Sequence, residues 1–165
     1  MQPVKAIGIA LISGAIFLCG IMLSRAQGEP LKYAKAFLAL ITRLRSQIEY
    51  SRGELRALFL QCTGGEAAPL EAAGFIADAA ELGWDAALEK FCNRFCIDAE
   101  TRDALFEFGG LLGKTGVEEQ LANCDRAAAR LGAIIGALAP ETAKKAKMWR
   151  TLGASGALMA ALILL

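Results

Sequence analysis

Residues 108–138 read FGGLLGKTGVEEQLANCDRAAARLGAIIGAL, and how this stretch folds decides the architecture. It reads as the end of one helix, a tight break and the start of a longer helix. Gly113 supplies the stop, because glycine enters the left-handed region without a Cβ clash. Thr115 and Glu118 have the spacing of a T-x-x-E capping box, which predicts that the next helix begins there. Beyond it Val117, Leu121, Cys124, Ala128, Leu131, Ile135 and Leu138 alternate at steps of four and three. They form one apolar seam, with Glu119, Asp125, Arg126 and Arg130 off it. Such a seam needs a partner helix. At barely three heptads it suits packing in an antiparallel bundle better than a dimerising coiled coil.

Working outward towards the N-terminus, the same periodicity recurs. Asp98 is placed to cap a helix holding Leu105, Phe106 and Phe108, and a short helix from about Asp85 to Phe95 buries Trp84, Leu88, Phe91 and Phe95. Gly83 ends the helix before it, Leu70 to Leu82, which Pro69 opens. Gly64 and Gly65 break an earlier helix carrying Leu55, Leu58 and Phe59, and Ser51 with Glu54 forms a second capping box at its start. Pro30 opens a helix whose Ala34, Phe37, Ile41, Leu44 and Ile48 repeat at three and four. No stretch alternates for long with period two. The expectation is an all-α domain, an antiparallel bundle of about six helices spanning 29–147.

The composition places the rest. The chain has 165 residues, 55% of them hydrophobic but only 7% aromatic, and the apolar excess lies at its two ends. Residues 6–24 carry no charge and approach the ~20 positions that cross a hydrocarbon core, between Lys5 and Arg25. The run exceeds the ~7–15 residues of a signal-peptide core, so an uncleaved span over 4–24 is expected. A lipid anchor on Cys19 is disfavoured by Leu18 before it. Ala6, Ala10 and Gly14 form a small-residue stripe. At the other end, Pro140 is expected to interrupt or kink the long helix. Residues 151–165 are uncharged, too short alone to span, and long enough with Met148 and Trp149 if the bilayer thins. Spans are therefore expected at both ends, the second over 148–165.

Charge gives these spans a direction. The net charge is +1, but Arg25, Lys32 and Lys35 follow the first apolar stretch and Lys144, Lys145, Lys147 and Arg150 precede the second. Basic residues at membrane edges mark the inner side, which puts the bundle in the cytoplasm with both termini across the membrane. Arg25, Lys144, Lys145, Lys147, Trp149 and Arg150 are the expected lipid-interface residues, the cations facing anionic headgroups. Glu66–Asp125, by contrast, holds thirteen acidic residues against Lys90, Arg94, Arg102 and Lys114.

Catalysis finds little support. The chain has no histidine, so the commonest general base and metal ligand are missing. Cys92 and Cys96 lie one helical turn apart with Arg94 between them, but they read more simply as apolar core residues than as a thiol enzyme or zinc site. Glycines 109, 110 and 113 lack the Lys-Ser/Thr ending of a phosphate loop. Acid pairs such as Glu118 and Glu119 suit a helix N-terminus. No basic stripe with interleaved aromatics suggests nucleic acid. No cofactor, metal or catalytic residue is expected.

Several motifs carry a resemblance. Leu105-Phe-Glu-Phe-Gly109 with Leu112-Gly113, the start Glu118-Glu119-Gln120, and Lys147-Met-Trp-Arg-Thr-Leu-Gly153 before an apolar tail resemble the stage III sporulation protein AB family. Gln47-Ile-Glu-Tyr50 is similar too. The chain departs from the family pattern at Thr115-Gly116, where an acidic cap is usual, and at Ser51-Arg52-Gly53, where a proline-containing turn is usual. The resemblance implies a non-enzymatic membrane platform subunit of the channel between mother cell and forespore, sited in the mother-cell membrane around the forespore. Its implied partners are other sporulation channel proteins, including a hexameric secretion-type ATPase, and membrane lipids, and it allows a homo-oligomer. The helical domain would be similar to the F platform domain of type II secretion and pilus systems. Gly109, Gly113, Glu118, Glu119 and Gln120 then become the candidate partner-contact residues. The alternative is a generic scaffold with two anchors and no link to secretion.

Overall fold

The computed structural model describes residues 2–50 and 55–164, the side chains of 2–7, 9, 10, 163 and 164 excepted. All regular structure among the described residues is helical. In chain order the helices are α1 (Gln2–Ala26), α2 (Glu29–Tyr50), α3 (Leu55–Gln61), α4 (Ala68–Ala72), α5 (Phe75–Leu82), α6 (Trp84–Arg94), α7 (Ala99–Leu111) and α8 (Val117–Leu164), with a 3-10 turn at Gly65–Ala67 before α4. Two compact units result: Pro30–Leu138, and Met1–Glu29 together with Ala139–Leu165.

The first unit is built on α2. Ala34, Phe37, Ile41, Leu44 and Ile48 are all buried as their spacing predicts, joined by Tyr33, Ala36 and Leu40. Around Phe37 the rings of Phe75, Phe91 and Trp84 stand edge to face, with centroids 4.9, 5.4 and 6.2 Å away. Phe59 stacks on Trp84 at 5.9 Å. Each such pair contributes about 0.5–1.5 kcal/mol beyond the area it buries. The few aromatic residues are thus concentrated where α2, α3, α5, α6 and α7 meet, and they fix how those short helices pack.

Several local expectations change. The helix expected over Leu70–Leu82 is two helices, because Gly74 takes φ +82° between them. That left-handed residue turns the chain and frees Phe75 and Ile76 to enter the core. Asp98 does cap α7, its carboxylate accepting the Thr101 N–H at 2.9 Å and the Thr101 hydroxyl at 2.7 Å. Gly113 is left-handed, φ +76°, and ends α7 as expected. The next helix, however, begins at Val117, with the Gly116 carbonyl accepting the Gln120 N–H at 2.9 Å. Thr115 spends its hydroxyl on the Gln120 side chain. The Ser51–Glu54 capping box lies outside the described residues.

The seam on α8 is also rotated. Gln120, Asn123, Cys124, Ala127, Leu131 and Ile134 are buried, whereas Val117 is 47% exposed. Two polar residues sit on the inner face, so a pattern made only of apolar positions misjudges which face is inner. Pro140 does not interrupt α8, which runs to Leu164.

In the second unit, α1 and the C-terminal part of α8 approach at Gly20 and Gly153. A Cβ on Gly20 would lie 2.8 Å from the Gly153 Cα, and one on Gly153 would lie 3.0 Å from the Gly20 Cα. The Ser24 hydroxyl donates to the Ala146 carbonyl at 3.0 Å. Close approach of the two backbones at small residues is how helices associate where no hydrophobic force distinguishes them from lipid. Gly14 has open space at its Cβ position, so the Ala6-Ala10-Gly14 stripe makes no such contact at Gly14. Leu11, Phe17, Leu18 and Met22 of α1 and Leu152, Leu158, Met159 and Leu162 of α8 are exposed.

Candidate interaction surfaces

The α7–α8 turn is held by side chains that grip the carbonyls at the end of α7. The last carbonyls of a helix have no partner within it and must find one elsewhere. Asn123 Nδ2 donates to the Phe108 carbonyl at 3.0 Å, and Gln120 Nε2 donates to the Leu111 carbonyl at 2.8 Å and to Thr115 Oγ1 at 2.7 Å. On the other side, the Trp84 indole N–H donates to the Leu105 carbonyl at 2.9 Å. Three carbonyls spaced by three residues thus bind side chains from α6 and α8. Asn123 and Trp84 escaped sequence reasoning in this role. Their signal was available in one form: Asn123 lies three residues after Gln120, continuing one face of a helix.

The candidate partner-contact residues divide accordingly. Glu118 and Glu119 are exposed on the first turn of α8 and make no ion pair among the described residues. Gly113 is exposed at the turn itself. Gln120 is buried and binds the turn together, and its Oε1 is buried without a partner. Gly109 is buried against Trp84, and a Cβ there would meet the indole ring and the Asp85 carboxylate. Gly109 and Gln120 therefore shape the turn, leaving Glu118 and Glu119 to present it.

Part of the acidic stretch is neutralised by nearby cations. Arg45 of α2 reaches Asp125 through two contacts, Nε to Oδ1 at 2.6 Å and Nη2 to Oδ2 at 3.2 Å, and touches Glu49 at 3.0 Å. Lys90 pairs with Asp78 at 2.6 Å, and Arg130 pairs with Glu107. Arg45 and Arg130 lie outside Glu66–Asp125 in sequence, so counting charges along the chain overstates its free acidity.

Beside the turn is a cleft of about 270 Å³. Leu55, Phe59, Ala79, Ala80, Trp84, Gly109 and Leu112 line it, with Arg56, Asp85 and Lys114 among its polar residues. Small residues at 79, 80, 83 and 109 leave this space between larger neighbours.

The thiols of the bundle lie in different environments. Cys62 and Cys124 are buried, Cys92 is half-buried and Cys96 is exposed. Burial pushes the Cys62 and Cys92 thiols up. The cation that opposes the shift at Cys92 is Arg102, whereas Arg94 lies over the Phe95 ring at 5.3 Å. Cys124 is pushed up to about 11, by burial and then by Asp125. No group of three or more His, Cys, Asp or Glu among the described residues could hold a metal ion.

In the second unit Arg25, Lys144, Lys145, Lys147 and Arg150 are exposed and Trp149 is half-buried. Lys145 lies 3.5 Å from Glu141. The described residues contain one stretch long and apolar enough to cross a membrane, Leu11–Tyr50, whose uncharged part precedes Arg25. A family model described as stage III sporulation protein AB matches residues 5–165. No curated protein and no solved structure matches the chain.

Proposed function

The chain belongs to the stage III sporulation protein AB family, and from that premise we propose that it is a non-enzymatic membrane platform subunit of the channel between mother cell and forespore. In this reading α1 and the C-terminal part of α8 both cross the mother-cell membrane. The bundle faces the mother-cell cytoplasm and couples a hexameric secretion-type ATPase to the membrane complex. The observation that carries it is the second unit. Two helices joined at Gly20 and Gly153 expose apolar side chains, and Arg25, Lys144, Lys145, Lys147 and Arg150 cluster near one end of the apolar segments. Aliphatic surface of this kind suits hydrocarbon, while a basic collar suits anionic headgroups on the inner side.

The ATPase contact falls on Glu118 and Glu119. They are exposed acids at a hydrogen-bonded turn, and opposite charge steers association. Reversing both to lysine is expected to abolish co-purification of the ATPase with the full chain from sporulating cells, with helix content unchanged. Undiminished co-purification would remove the ATPase from this surface. Orientation has its own test in Cys96, the exposed thiol of the bundle. With the full chain expressed in the plasma membrane of non-sporulating cells, an impermeant maleimide should leave Cys96 untouched in intact protoplasts and label it after the membrane is opened; labelling in intact protoplasts would overturn the orientation.

A further inference from the structure

The cleft beside the α7–α8 turn combines three features. It is concave, with a volume of about 270 Å³, and its lining includes Leu55, Phe59, Trp84 and Leu112. Most of its lining is apolar, with Ala79 and Ala80 completing the trough between those larger side chains. Its charged lining is cationic on balance, with Arg56 and Lys114 against Asp85 alone. Neither cation has an ion-pair partner among the described residues. An apolar trough with cationic residues beside it complements a helix that presents apolar anchors at i, i+3 and i+4 with carboxylates beside them.

We infer that this cleft is a docking site for an acidic amphipathic segment of a partner protein. A large apolar side chain of the partner enters above the Trp84 indole, and its flanking carboxylates meet Arg56 and Lys114. Gly109 keeps Trp84 seated against α7, and Ala79 and Ala80 leave room for the anchor. The site is separate from Glu118 and Glu119, which would attract basic partners, so the inference stands whether or not the ATPase contact holds.

The chain contains two tryptophans, and Trp149→Phe leaves Trp84 as a local reporter. The full chain carrying this change, in nanodiscs of zwitterionic lipid, is titrated with three 14-residue peptides and compared with empty nanodiscs. One has leucine at i, i+3, i+4 and i+7 with glutamate elsewhere. The second replaces the glutamates with lysine, and the third keeps the glutamates and replaces the leucines with glycine. The glutamate–leucine peptide should shift Trp84 emission saturably and bind at least tenfold tighter than either of the others. Arg56→Glu with Lys114→Glu, both at exposed positions, should invert the preference between the first two. Ala80→Phe, which fills the cleft, should weaken the first at least tenfold. The inference is overturned by an unmoved Trp84 signal, by equal binding of the glutamate and lysine peptides, or by equal binding of the leucine-free peptide. It also fails if emission changes with protein concentration alone, since a second copy would then cover the cleft.

Discussion

Single residues here act mostly through what their burial forbids. Cys124 is fully enclosed beside Asp125, and its thiol is pushed up to about 11 from an ordinary value near 9. Its folded pKa is raised, so the folded state keeps a proton that the unfolded state gives up first. The stability this provides is complete below pH 9 and is lost as pH rises from 9 to 11, at roughly 1 kcal/mol per pH unit. Urea unfolding followed through Trp84 in a Trp149→Phe background should show this slope between pH 9 and 10.5. Cys124→Ala, though less stable at neutral pH, should show a shallower one. Gln120 and Asn123 present a different constraint, since each satisfies a carbonyl at the end of α7. Truncating Asn123 to alanine leaves the Phe108 carbonyl without that donor, and a cost of about 1–3 kcal/mol follows. Gln120→Ala should cost less, because it also removes the unpartnered Oε1 from the interior. Urea midpoints compared at pH 7 would reveal the ordering.

The elements are short wherever glycine allows them to be. Gly74 divides what apolar periodicity alone reads as one helix, Leu70–Leu82, and the short pieces pack their buried residues into one core with those of α2. This is why the aromatic rings of α2, α3, α5, α6 and α7 converge near Trp84. The two long elements behave differently at Gly20 and Gly153, where backbones and not side chains meet. Leucine at either position cannot be accommodated without separating the helices. The neighbouring pair Ile16 and Gly156 offers a readout, because a Cβ on Gly156 would lie 3.4 Å from Ile16 Cγ2. Cysteines at both positions, in a Cys19→Ala background, should form a disulfide in isolated membranes on mild oxidation. Adding Gly20→Leu should reduce that cross-link several-fold.

At the scale of the whole molecule, charge is distributed relative to apolar surface. Lys144, Lys145, Lys147 and Arg150 stand with Arg25 on one unit, while the acids of the other are partly neutralised by Arg45 and Arg130. A basic residue near an anionic surface contributes about 1 kcal/mol. Replacing Lys144, Lys145 and Lys147 with glutamine is therefore expected to reduce membrane retention more for vesicles containing phosphatidylglycerol than for purely zwitterionic ones. Flotation of the purified full chain with each vesicle type measures the difference, and equal loss in both would remove the headgroup role from these lysines.

The sequence by itself determined that the protein is helical, where most of its breaks fall, and which residues of α2 turn inward. Those are local matters: apolar spacing, a glycine at a left-handed turn and an aspartate at a helix start act within a few residues. It also carried the motifs of the stage III sporulation protein AB family. The tertiary structure decided the inner face of α8, the fate of Gly109 and Gln120, the pairing of Arg45 with Asp125 and the cleft at Trp84. Each of these depends on groups far apart in the chain. A buried amide looks like surface until the carbonyl it satisfies is brought beside it, and an acid looks free until an arginine eighty positions away closes on it.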